Sequence, residues 1–167
     1  MRVLMWSALI AVLVPLQSVL LPSVKIGGAM ADLGLVVTCL TGVLGGELHG
    51  LLMGLVMGWV MSLFSVIDPV VAMGIKGVAG YVAGFAGRYL VALSPMIVAI
   101  GMGVLSCGAG LATALVLSLH DVQDGWWVLR VVVLPQAVLD ALVGGVLYWG
   151  LASRYGIERW RGEYRIS

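Results

Sequence analysis

Four ionisable side chains stand inside otherwise apolar stretches of this chain: Asp32, Lys76, Arg130 and Asp140. A charge at bilayer depth costs roughly 2.5–3.5 kcal/mol on insertion scales, so each is a functional candidate by default. Carboxylates and cations in such places pair, share hydrogen bonds or line a polar site. Lys76 and Arg130 carry stems long enough to bring their heads toward the interface. Asp140 has no such reach and is expected to be protonated, hydrogen-bonded or paired with a cation facing the bundle interior. Pro135, five residues earlier, lacks an N–H and should kink its helix and free a carbonyl there. Two arrangements follow. In one, Lys76 or Arg130 turns inward to meet Asp140; in the other, the cations snorkel separately and Asp140 is satisfied by hydrogen bonds.

The remaining reactive residue types are sparse. Glu47 and His49 are expected in a short exposed polar loop, and Asp121 and Asp124 in a solvated turn. The only two histidines, His49 and His120, are predicted at opposite membrane faces, so they cannot share a site. Cys39 and Cys107 sit singly in apolar runs, without metal-site or disulfide spacing, and read as packing residues. Catalysis needs a nucleophile with a base and an oxyanion site, or a metal with three or more ligands. No Gly-x-Ser-x-Gly, His-Glu-x-x-His or phosphate-binding loop is present. The sequence therefore predicts a protein that is not an enzyme, with no catalytic residues, no metal and no cofactor.

The elements that must carry these residues are set by composition. The chain is 62% hydrophobic and 10% charged over 167 residues, with mean hydropathy +1.13, whereas soluble domains carry roughly 25% charged residues. Lipid is its solvent. Apolar stretches at about 3–21, 31–45, 50–67, 70–87, 94–119 and 127–152 predict six transmembrane helices in an all-α polytopic bundle. The fifth is long enough to tilt or to hold an interfacial turn at Ser94-Pro95. Residues 1–153 form one transmembrane domain and 154–167 a basic cytoplasmic tail. The apolar run after Met1-Arg2 has the character of a signal peptide. It lacks a small-x-small cleavage site and is interrupted by Pro15, Gln17 and Pro22, so it reads as the first membrane helix.

With six spans, Arg2, Arg88, Arg154, Arg159, Arg161 and Arg165 fall on one side, opposite Lys25, Asp68, Asp121 and Asp124. Basic loops stay cytoplasmic, which predicts both termini inside. Asp32, Lys76 and Arg130 then lie in the outer third of the membrane, Lys76 about 9 Å below its surface. Trp126 and Trp127 mark the outer start of the last segment, and Tyr148 and Trp149 its inner end. The tail with Trp160 is expected to lie on anionic lipid or to fray. The net charge of +1 leaves no nucleic-acid footprint.

Gly46, Gly50, Gly54 and Gly58 recur every four residues, and Gly77, Gly80, Gly84 and Gly87 repeat the theme at alternating spacings of three and four. Such rows let transmembrane backbones approach closely. They predict an association surface, formed either between these two segments or as a groove for a partner's helix; the second reading makes these glycines a partner-helix packing site.

The run Ala31-Asp32-Leu33-Gly34-Leu35, the glycine row from Gly46 to Gly58, and the glycine-rich segment ending at Gly80-Tyr81-Val82-Ala83-Gly84 together resemble the rod shape-determining protein MreD family. The resemblance spans roughly residues 30–150. One departure is visible: the family often has an Asp just after the glycine row, where Met61 and Ser62 stand here. Asp32 is the position the resemblance carries over, in a structural or binding role. What it implies is a bacterial inner-membrane scaffold of the cell-elongation machinery. Such a scaffold binds the transmembrane helix of MreC and works with MreB, RodA and a class B penicillin-binding protein in peptidoglycan synthesis and rod shape. The family is also similar in architecture to the substrate-binding subunits of energy-coupling-factor transporters. That makes a vitamin-type transporter subunit the alternative, with Asp32, Lys76, Arg130 and Asp140 as its pocket groups.

Overall fold

A computed structural model of the chain describes residues 30–64, 68–89, 94–118 and 129–155. Among these residues the protein is all helix and turn. Five helices follow in order: α1 (Leu33–Gly45), α2 (Glu47–Ser62), α3 (Pro69–Tyr89), α4 (Pro95–Ser118) and α5 (Leu134–Tyr155), the last continuous with a π-helical turn at Leu129–Val133. The predicted first span, Lys25, His120, Asp121, Asp124, Trp126, Trp127 and most of the basic tail lie outside the described residues.

Each start has a local cause. Asp32 caps α1, its Oδ1 accepting from the backbone N–H of Leu35 at 2.9 Å. Asp68 accepts from the N–H of Val70 at 2.8 Å, and Pro69 follows at the first helical position, where its missing N–H costs nothing. Ser94 and Pro95 repeat this at α4, with Ser94 Oγ accepting from the N–H of Ile97 at 3.3 Å. That pair is a helix start and not a turn within a longer helix. The π-helical turn ends two residues before Pro135, where a ring without an N–H cannot complete regular α-helical bonding.

Three helical stretches are long and apolar enough to cross a membrane: Pro69–Tyr89, Pro95–Val116 and Leu129–Ser153. They fit a transmembrane protein. The described parts of the segments expected at 31–45 and 50–67 form helices of 13 and 16 residues, below the roughly 20 residues of a typical span. Their boundary is also corrected. Gly46 alone separates them, at φ 93°, a left-handed conformation that favours glycine. Glu47 and His49 are accordingly the first turn of α2 and not a loop. A carboxylate there suits the positive helix end, and Glu47 also faces Arg88 of α3 at 3.4 Å.

The short α1 is the centre of the bundle, packed against α2, α3, α4 and α5. Its Leu35, Val36, Cys39 and Leu40 join Ala79 and Ala83 of α3, Val98 and Met102 of α4, and Tyr148 of α5 in one apolar core. The two threonines of α1 are buried without penalty, because Thr38 and Thr41 donate to the carbonyls of Gly34 and Val37, each at 2.7 Å. Tyr148, expected half wet at an interface, is 3% exposed within this core, whereas Trp149 beside it is 63% exposed.

Candidate functional site

Asp32 organises the polar interior. Its carboxylate Oδ2 receives the ammonium of Lys76 from α3, and its backbone N–H donates to Oδ1 of Asp140 on α5 at 2.7 Å. The second oxygen of Asp140 accepts from the hydroxyl of Ser106 on α4. One connected set of bonds therefore ties α1, α3, α4 and α5 together. Asp140 is 1% exposed, Ser106 2% and Lys76 9%. At that depth unpaired charge is costly, and here the lysine is paired and both oxygens of Asp140 are hydrogen-bonded.

Three of the four expected intramembrane charges thus meet, in an arrangement that combines the expected ones: a lysine turns inward, and Asp140 is satisfied by hydrogen bonds. The cation that turns inward is Lys76, and it binds Asp32 and not Asp140. Asp140 is met by a backbone N–H and a hydroxyl. Arg130 lies on the exposed side of the π-helical turn. Ser106 was not marked by the sequence, because a single serine in a long apolar run carries no spacing signal.

The glycine rows are consumed within the chain, which corrects the partner-helix reading of these positions. A Cβ at Gly50 would overlap the carbonyl of Gly80 and lie 2.7 Å from the Cα of Gly42, so α1, α2 and α3 meet there backbone to backbone. Gly54 faces the Lys76 carbonyl, Gly58 lies against Ala72 and Met73, Gly84 against Gly46 and Glu47, and Gly87 against Val43. Gly77 sits under the side chains of Leu51 and Leu55. Gly46 has open space around it and serves as the hinge.

A different small-residue surface remains open. α4 and α5 pack along a seam, and beside it runs an apolar groove of about 650 Å³. Ala99, Gly103 and Cys107 line it on α4, and Ala137, Ala141 and Gly145 on α5, both at four-residue spacing. Its rims are Ile100 and Val104 on one side and Val138, Leu142 and Val146 on the other, each 57–66% exposed. Small residues in the floor and long ones on the walls form a channel into which a third helix can settle closely. The alanines and the cysteine hid this row from sequence reasoning, since they do not stand out from an apolar background as glycines do.

Among the described residues no group of three or more His, Cys, Asp and Glu side chains gathers to hold a metal. No family model, no curated protein and no solved structure matches this chain.

Proposed function

We propose that this protein is a non-enzymatic scaffold of the bacterial inner membrane, in the manner of the MreD family its sequence resembles. In this reading it holds the transmembrane helix of an MreC-like partner and, through it, supports cell-wall elongation alongside MreB, RodA and a class B penicillin-binding protein. Six spans with both termini cytoplasmic, and the likeness to energy-coupling-factor subunits, belong to the same reading.

The observation that carries the proposal is the groove between α4 and α5. Its small-residue floor and its exposed rims of Ile100, Val104, Val138, Leu142 and Val146 match the shape an incoming apolar helix requires. The glycines of α2 and α3 pack those helices against each other and against α1.

The test is mild-detergent co-purification of the tagged protein from its native membrane, followed by mass spectrometry of proteins and small molecules. Recovery of a single-span MreC-like protein, reduced when Cys107→Phe obstructs the groove, is the expected outcome. Recovery of paired ATPases with a vitamin-like ligand would replace the scaffold with the transporter alternative.

A further inference from the structure

Beside the buried bonds, and apart from the groove, lies a cavity of about 250 Å³ bounded by α1, α3, α4, the π-helical turn and the start of α5. Its walls are largely apolar, with Leu35, Ile75, Ala109 and Val132 among them. Three polar side chains besides Asp32 face it: Lys76, Thr113 and Gln136. An apolar chamber with a few convergent polar groups is the usual form of a small-molecule site.

The bonding state of each group defines the guest. Gln136 is half-buried and its side-chain amide makes no hydrogen bond with any described residue, so it presents both a donor and an acceptor. Thr113 spends its proton on the carbonyl of Ala109 at 2.9 Å, which leaves its oxygen able only to accept. Lys76 gives one N–H to Asp32 and retains two further donors. Donors and acceptors therefore line one cavity, the combination complementary to an amide, lactam or urea edge.

Charge sets the second limit. The Asp32 carboxylate and the Lys76 ammonium already neutralise one another, and both oxygens of Asp140 are occupied by Asp32 and Ser106. A guest with net charge would find no unneutralised counter-charge among the described lining residues, and its desolvation would outweigh one or two hydrogen bonds. The volume is below the roughly 300–1,000 Å³ of drug-sized pockets, so the guest is small.

We propose that this cavity is a binding site for a small uncharged molecule with an apolar body and an amide-like edge, gripped by Gln136, Thr113 and Lys76. The site shares no lining residue with the α4–α5 groove, so it stands or falls independently of partner-helix binding.

The test uses the full chain in detergent and three probes of nearly one shape: benzamide, benzoate and benzamidinium, compared at neutral pH by saturation-transfer NMR. Benzamide is expected to bind at least tenfold more tightly than either charged probe. Gln136→Leu should weaken benzamide at least tenfold, and Gln136→Glu should shift the preference toward benzamidinium. Thr113→Val, which keeps the side chain's shape, should weaken benzamide as well and serves if Gln136→Leu does not fold. Equal response to all three probes, no benzamide response in the folded wild type, or unchanged benzamide affinity in the folded Gln136 and Thr113 variants would each overturn the proposal.

Discussion

The backbone N–H of Asp32 donates to the carboxylate of Asp140 at 2.7 Å, joining the start of α1 to the second turn of α5 across 108 positions of sequence. Because the same Asp32 also caps α1 and pairs with Lys76, one residue couples the central helix to two of the three long apolar helices. Ser106 extends the link to the third.

Replacing Asp140 by Asn keeps an oxygen to accept from Asp32 and an amide that can donate to Ser106 in return. The folded protein should persist with little loss. Asp140→Leu instead strands a part-buried N–H and a buried hydroxyl, the hydroxyl alone costing about 1–3 kcal/mol. A marked drop in melting temperature, read by fluorescence-detected size exclusion in detergent, is expected for Leu and not for Asn.

Lys76 and Asp32 make a second, separable test. Lys76→Met alone takes the cation from the Asp32 carboxylate, and because that side chain is 21% exposed the loss should be smaller than the roughly 3–5 kcal/mol of a fully buried pair. Asn retains the capping oxygen, so Asp32→Asn combined with Lys76→Met should recover most of that loss. Thermal stabilities of the two single variants and the double variant close the cycle, and additive losses would show that the pair is not coupled.

The glycine contacts predict where a methyl group is tolerated. Gly50→Ala, Gly80→Ala and Gly54→Ala each place a Cβ against a neighbouring backbone carbonyl and should deplete the folded protein. Gly74→Ala and Gly101→Ala meet nothing within 4 Å and should accumulate normally. Membrane-fraction yield by immunoblot distinguishes the two sets. Loss of partner recovery with normal yield at Gly54 would restore the partner-helix reading of that row.

What the residues disclosed in advance, and what they withheld, divide along physical lines. Asp68-Pro69 and Ser94-Pro95 start α3 and α4 by local capping, yet the sequence reading has the first pair only as loop charge and the second as a turn within a longer helix. Apolar length gives α3, α4 and α5, since each needs only its own sequence to be apolar. The break at Gly46 was harder to see: one residue of left-handed backbone divides α1 from α2, and the polar pair Glu47 and His49 imitated a loop. In the polar interior, spacing placed Asp32 and Lys76 at similar depth, yet their connection to Asp140 runs through a main-chain N–H, which no side-chain pattern encodes. Glycine spacing signalled close approach without naming the approaching surface. Only the three-helix meeting at Gly42, Gly50 and Gly80 shows that the surface belongs to the same chain.

Cys107 supplies the most direct test of the scaffold reading, because it lies half-buried in the α4–α5 groove. With Cys39→Ala removing the other cysteine of the chain, single cysteines would be stepped along the transmembrane helix of the MreC-like partner, and oxidative cross-linking measured in native membranes. The account predicts cross-links to Cys107 that recur every three to four positions on one face of the partner helix and vanish when Val138 and Leu142 are both replaced by Trp. Absence of cross-links at every position, in membranes where the partner co-purifies, would contradict the groove as the seat of the partner helix.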